Sequence, residues 1–329
     1  MAPRNISVLI EHYPLIKPFQ ISRALRTSAD VVVVRIEENG FVGRGEGRPT
    51  ERYEGSCDRA RDDVISICHE LEEGLERTEL QQIMKAGAAR NAIDCALWDL
   101  EAKQTGRSVW DLTARTNSTL IETAYSLGID APKAMAKAAR DAPEPLLLKL
   151  KLAGDGYDIE RMRAVRAAMP ETRLVADANE SLSVTEAIQV IGAAEKLQFE
   201  MIEQPCPTET LCPISQSDTD VILCADEACR TTADLDKLEG QYGMINIKLD
   251  KAGGLTEALK LEETARQAGL SMMVGCMFST SLGIAPAMIV ARGAQIIDLD
   301  APLHLSQDRE HAIIYDGCRM QPPSPKLWG

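Results

Sequence analysis

From residue 146 onward, six short apolar runs end on a charged residue, and they recur at an almost constant interval. Lys151 closes the run 146–151, Asp177 the run 174–177 and Asp298 the run 296–298; Glu203 follows Met201-Ile202, Asp226 follows 221–225, and Lys248 follows 245–247. From 151 to 248 the intervals are 26, 26, 23 and 22 residues, and the last one, of 50, has room for two units with an apolar run at 270–275 between them. One unit earlier lies the apolar stretch 123–127. The gaps hold segments of helical periodicity, such as 159–168, 184–197 and 255–268. Eight strand–helix units are the number that closes a (β/α)8 barrel, although a doubly wound open sheet keeps a similar rhythm.

The first hundred residues follow another pattern. Residues 5–50 read as strands: Val31-Val32-Val33-Val34-Arg35-Ile36 is β-branched, and Glu38-Asn39-Gly40 is a turn signal before a second strand from Phe41 to Glu46. Residues 57–103 read as helices, the strongest over 88–103 with Ile93, Leu97 and Leu100 on one face. Strands followed by helices indicate a separate α+β unit, with 106–117 as the link to the barrel.

Charge and cysteine usage narrow the setting. The formal net charge of −14 argues against nucleic acid and anionic membranes as partners, and leaves a homo-oligomer open. No apolar run approaches the ~20 residues of a membrane span, and residues 1–11 lack the apolar core of a signal peptide. A cytoplasmic chain is therefore expected. Its nine cysteines include no C-x-x-C pair, so core thiols such as Cys95 and Cys224 are expected rather than disulfides or a zinc site.

In a parallel barrel the C-terminal strand ends gather at one mouth, and residues two apart share a face of the strand. Lys149 with Lys151, Lys248 with Asp250, and Asp298 with Asp300 should then converge on one pocket. Asp177, Glu203 and Asp226 come from three consecutive strands. A lone strand-end acid is ordinarily just solvated, but three in register repel one another, and a hard divalent cation such as Mg²⁺ relieves that repulsion through all-oxygen ligation. Adjacent ammoniums and a nearby metal make a lysine easier to deprotonate, which suits Lys151 and Lys248, on opposite sides of the acids, to act as bases. His12, His69, His304 and His311 all fall outside the expected mouth and read as surface or packing residues.

Lys149-Leu150-Lys151, Asp177-Ala178-Asn179, Glu203-Gln204-Pro205, Ala225-Asp226-Glu227 and Lys248-Leu249-Asp250, in this order, resemble the signature of the muconate-lactonizing subgroup of the enolase superfamily. Asp298-Leu299-Asp300 resembles the D-x-D motif of its dipeptide epimerases. The resemblance implies a capping domain over 1–115, a barrel over 116–303 and a C-terminal segment, 304–329, that packs back on the cap. It implies Mg²⁺ on Asp177, Glu203 and Asp226, acid/base catalysis by Lys151 and Lys248, enolate stabilisation by Lys149, and supporting roles for Asn179 and Asp250. Asp298 and Asp300 would hold the free ammonium of a dipeptide, and Arg26, with Arg23 as its rival in the loop 20–27, a glutamate side chain. Residues 50–56 are the expected second capping loop. The implied activity is 1,1-proton transfer on an L-Ala-D/L-Glu type of dipeptide, in recycling of murein peptides.

One departure concerns the seventh strand, where many members of the family carry an acid and this chain has Cys276-Met277-Phe278-Ser279-Thr280-Ser281. The alternatives are a dipeptide epimerase of another specificity, an N-acylamino acid racemase, an o-succinylbenzoate synthase or a muconate cycloisomerase. Of these, the last three act on substrates without a free ammonium, for which paired acids at 298 and 300 have no use. A non-catalytic barrel would be expected to have lost a lysine or an acid, and a phosphate-binding barrel to carry a glycine-rich loop where Gly293 stands alone.

Overall fold

In the computed structural model, which describes residues 4–53, 55–116, 120–210 and 213–329, the chain opens as a three-stranded antiparallel sheet of β1 (Asn5–Ile21), β2 (Ala24–Glu38) and β3 (Phe41–Gly47). Glu54 of the expected second loop and Asn117 of the expected link lie outside the described residues. Asn39 and Gly40 turn β2 into β3 with φ of 52° and 82°, the positive values that a two-residue hairpin requires. Helices α1 (Cys57–Ile65), α2 (Cys68–Glu72), α3 (Arg77–Ile83) and α4 (Ala88–Thr105) follow. Ile93, Leu97 and Leu100 of α4 pack with Val32, Val34 and Ile36 in one buried core. The contact is unusually close because Gly43, Gly45 and Gly47 alternate along β3. A Cβ on any of them would collide with a backbone carbonyl of α4.

After α5 (Val109–Leu112) and the short β4 (Ile121–Glu122), eight parallel strands form one sheet in chain order. They are β5 (Tyr125–Leu127), β6 (Leu147–Lys151), β7 (Arg173–Asp177), β8 (Met201–Glu203), β9 (Ile222–Ala225), β10 (Met244–Ile247), β11 (Ser271–Gly275) and β12 (Ile296–Asp298). The sheet curls back on itself: Ala124 N donates to Ile297 O at 2.7 Å, and Leu299 N to Thr123 Oγ1 at 2.7 Å. The outer layer comprises α6 (Pro132–Asp141), α7 (Asp158–Ala168), α8 (Val184–Lys196), α9 (Leu249–Ala252), α10 (Leu255–Gln267) and α11 (Ser281–Ala291). It is thinner than eight full strand–helix units would make it. Among the described residues, the connections before and after β9 hold only 3₁₀ turns, at 216–218 and 232–238. In the first of these, Pro205, Pro207 and Pro213 break any helical run.

The chain ends with β13 (Tyr315–Asp316) and β14 (Arg319–Met320), the latter paired with β4, before returning to α4. There Trp328 Nε1 donates to Cys95 O at 3.0 Å and Gly329 N to Asp99 Oδ1 at 2.8 Å. The eight described cysteines are free thiols, with Cys95 and Cys224 fully buried. Among the described residues, no helix is long and apolar enough to cross a membrane.

Candidate active site

The ends of β6, β7 and β8 are in register, so that Lys151 lies opposite Asp177 and Asp177 opposite Glu203. Asp226 follows β9 directly and Lys248 follows β10. Asp177, Glu203 and Lys149 are fully buried, and Asp226, Lys248, Asp298 and Asp300 nearly so. Burying this many charges is tolerable only if they neutralise one another, and they do. Lys149 Nζ reaches Asp177 at 3.2 Å, Glu203 at 2.6 Å and Asp298 at 2.7 Å. Lys151 Nζ lies 2.5 Å from Asp177, and Lys248 Nζ 2.6 Å from Asp226. Gly275 on β11 makes room for this group, since a Cβ there would stand 2.8 Å from Asn246 Oδ1 and 3.1 Å from Lys248 Cε.

The lysines thus already sit between the acids. Among the described residues, no three acid, imidazole or thiol groups converge closely enough to chelate a metal as they stand. On the lysines, burial and the surrounding carboxylates act in opposite senses. Burial works against the charge of Lys149, but Asp298, Glu203 and Asp177 outweigh it and hold the ammonium well above the ordinary lysine range. Lys248 is raised in the same way by Asp226 and Glu203. Each of these two ammoniums faces carboxylates at close range. On the acid side, burial opposes ionisation of Asp177 and Asp226. Lys151 and Lys149 nevertheless pull Asp177 below the usual carboxylate range, and Lys248 and Lys251 pull Asp226 well below it. Glu203, buried between Asp177 and Asp226, is pushed up to about 7.

A cavity of about 320 Å³ opens above these groups, within the range of a small-molecule site. Lys151, Asp226, Lys248, Asn179, Asp298 and Asp300 all line it. Asn179, at φ 47°, braces Asp177 by donating its backbone N–H to Oδ1 at 2.8 Å and its side-chain amide to Oδ2 at 3.2 Å. Asp250 is not on a strand with Lys248. It belongs to α9 and turns toward β3 and α4, accepting from Arg48 N and Asn91 Nδ2 at 2.8 Å each. Asp298 accepts from Lys149 and from Ser126 Oγ, and Asp300 from Ser126 N and His304 Nε2. The pair therefore already has donors, one of them a histidine assigned from sequence to packing or surface.

The roof of the cavity comes from the loop after β1 and from Thr50 to Tyr53. Arg23 is fully engaged there, with Glu180 at 2.6 Å and Glu227 at 2.5 Å. Arg26 also lines the cavity and meets no acidic partner among the described residues. Cys276, Met277 and Phe278 form part of the wall, where a family acid was missing from the sequence. Sequence reading also missed Lys251, fully buried with its ammonium 2.6 Å from Asp226 Oδ1, because it falls in a helical turn rather than at a strand end.

Comparison with known proteins bears directly on this geometry. The N-terminal domain of mandelate racemase / muconate lactonizing enzyme matches residues 4–113, and the enolase C-terminal domain-like family matches 133–323. L-Ala-D/L-Glu epimerase of Escherichia coli K12 is 42% identical over 94% of this chain and 97% of its own length. N-acetyl-D-glutamate racemase of a Pseudoalteromonas species is 39% identical over 91% and 95%. An enolase family member of Agrobacterium tumefaciens, described as homologous to dipeptide epimerases and solved with sodium and L-Ala-L-Glu, superposes with a TM-score of 0.93 at 41% identity, covering 99% of this chain and all of that one. The dipeptide epimerase of Enterococcus faecalis V583, solved with Mg and L-Leu-L-Tyr, gives 0.92 at 29% identity, covering 100% and 99%. With both halves of the chain matched and a relative this similar over nearly its whole length, the chain belongs to the mandelate racemase / muconate lactonizing enzyme family of the enolase superfamily.

Proposed function

We propose that this chain is a dipeptide epimerase that inverts the α-carbon of the C-terminal residue, with L-Ala-D/L-Glu as its substrate. The observation that carries the reading is the placement of Lys151 and Lys248 across one cavity, on either side of the strands that bear Asp177, Glu203 and Asp226. A substrate α-carbon held between the two lysines can lose its proton to the neutral amine of one and receive a proton from the ammonium of the other on the opposite face. Each lysine reacts from a different state, one neutral and one protonated. Carboxylate contacts that stabilise the ammonium form must therefore loosen around the lysine acting as base.

The acids fit a metal by their chemistry. Three carboxylates on neighbouring strands give a hard, all-oxygen donor set. Glu203 Oε2 and Asp226 Oδ1 are buried, and each lies 2.6 Å from an ammonium, of Lys149 and Lys251, so these oxygens already hold cationic partners. Asp177, Glu203 and Asp226 would hold Mg²⁺, in competition with the ammoniums of Lys149 and Lys248. When bound, the ion supplies positive charge for the substrate carboxylate and for negative charge developing beside it. Lys149 contributes a fixed positive charge to the same region. Arg26, which lines the cavity and meets no acidic partner among the described residues, suits the side-chain carboxylate of a glutamate in bidentate fashion. Asp298 and Asp300 suit the α-ammonium at the other end.

A second reading, racemisation of an N-acylated glutamate, is favoured by one observation. Asp298 and Asp300 already have donors, so an acyl group would not leave them wholly unpaired. Deuterium uptake at the α-carbon, followed by mass in D₂O, separates the two. L-Ala-L-Glu should exchange at least about a hundredfold faster in kcat/KM than N-acetyl-L-Ala-L-Glu or N-acetylglutamate, on the scale of a lost buried charge pair. Equal or faster exchange of the acetylated compounds would move the assignment to the racemase.

A further inference from the structure

Resting on the dipeptide reading, we propose that His304 is a positioning residue that sets the carboxylate of Asp300 for the substrate's α-ammonium. Among the described residues, Asp298 has a donor on each oxygen, whereas Asp300 has donors on one oxygen alone. Asp298 Oδ2 takes Lys149 Nζ at 2.7 Å and Oδ1 takes Ser126 Oγ at 3.2 Å. At Asp300 both protein donors, Ser126 N at 2.6 Å and His304 Nε2 at 3.1 Å, meet Oδ2, which leaves Oδ1 to a ligand in the cavity. Burial opposes the charge on Asp300, but the neighbouring His304 and the Ser126 N–H bring its pKa below the ordinary aspartate range, so it stays an anion. An anionic carboxylate can only accept, so His304 Nε2 is the atom that carries the hydrogen.

The imidazole can serve as a fixed donor because its own orientation is over-determined. The 3₁₀ turn Ala301–His304 brings it back onto Asp300, four residues earlier. Phe19 of β1 stands edge-on to the ring at 5.2 Å, Phe278 from the loop after β11 does so at 5.8 Å, and Tyr125 of β5 lies tilted over it at 5.0 Å. Leu15 bridges to Leu305 and ties the same turn to the N-terminal sheet. Three separate elements thus clamp one ring whose polar edge points at the ammonium site. The ordinary alternative is a packing role, in which the ring fills an aromatic cluster and its nitrogen is incidental.

Two variants of the full-length Mg²⁺-loaded enzyme distinguish these roles, because they predict opposite orders. His304→Phe keeps a ring for Phe19, Tyr125 and Phe278 and removes the donor; His304→Gln keeps a donor of similar reach and removes the ring. The positioning role predicts that His304→Phe raises KM for L-Ala-L-Glu by about tenfold to a hundredfold with kcat little changed, the range for a lost hydrogen bond to a charged group, and narrows the preference over N-acetyl-L-Ala-L-Glu. His304→Gln should stay within about threefold of wild type on that same scale. His304→Leu serves as the donor-less variant if the phenylalanine does not fold. Wild-type behaviour of the donor-less variant, or an impaired glutamine beside a normal phenylalanine, would overturn the inference while leaving the dipeptide reading intact. Failure of the wild-type enzyme to exchange L-Ala-L-Glu at all would instead remove the reading on which it rests.

Discussion

Two layers of the same barrel differ by only two residues along each strand. In the lower one, Ala124, Leu147, Val175, Met201, Cys224, Met244, Met273 and Ile296 pack into an apolar plug. Two residues on, the same inward faces carry Ser126, Lys149, Asp177, Glu203, Asp226, Asn246, Gly275 and Asp298. The first layer is stabilised by each side chain's own burial. The second is tolerable only as a balanced set, in which every buried charge has an opposite neighbour. A strand that closes a barrel and then presents charged groups must therefore change character within one step of its pleat, and Lys151, Lys248 and Asp300 follow one step further on, at the cavity.

Breaking the balance of the upper layer should have the largest effect. Chelation with EDTA should abolish epimerisation and added Mg²⁺ should restore it, whereas the apolar plug gives no reason for the fold to open. Full activity in chelated protein would show that the acids serve only the lysines. Lys149→Met comes next. It strands Asp177, Glu203 and Asp298 without their shared ammonium and should cost about 3–5 kcal/mol in denaturant unfolding at neutral pH. Met201→Ala in the plug should cost a similar ~2–5 kcal/mol while leaving the charged groups, and hence the chemistry, in place. If Lys149→Met were as stable as wild type, the upper layer would not depend on charge balance.

The roof should respond more gently than either layer. Arg26→Met should raise KM for L-Ala-L-Glu by roughly tenfold or more, as for a lost charged hydrogen bond, with little change for a dipeptide whose second residue is apolar. An equal loss on both would reassign the arginine to loop folding. The smallest effect belongs to Asp250, outside the mouth. Burial raises its pKa from 3.8 to about 6, so the folded protein holds a proton that the unfolded chain releases. Its contribution is thus fully present below pH 3.8 and lost as the pH rises through about 6. Asp250→Asn should melt a few degrees higher than wild type above that window and show no advantage below it. A gap independent of pH would show that Asp250 is ionised in the fold throughout.

The barrel and its mouth were legible because periodicity and charge coincide: each charged strand end both bounds a strand and joins the charged cluster at the mouth. The closing strand was blurred, since Thr123 and Ala124 read as strand but fall in the gap between β4 and β5. The glycine row Gly43, Gly45 and Gly47 read only as part of a strand, because a close helix approach leaves no mark on hydropathy. His304 was assigned to packing or surface because its link to Asp300 depends on a 3₁₀ turn and on rings from three distant segments. Arg23 and Arg26 could not be ranked from sequence, as the two acids that occupy Arg23 lie more than 150 residues away. The pairing of the lysines was hidden for the same reason: neighbours along the strand were visible, and carboxylates across the barrel were not.

The central claim is that Lys151 and Lys248 work on opposite faces of one carbon. Its most direct test is α-proton exchange of L-Ala-L-Glu and L-Ala-D-Glu in D₂O with Lys151→Ala and Lys248→Ala, each in the Mg²⁺-loaded enzyme. Both variants should lose epimerisation by a factor of about 10²–10⁴. Each should still exchange the α-proton of one epimer, and the epimer retained should differ between them. A variant that epimerises normally, or two variants that retain the same epimer, would contradict the two-base account.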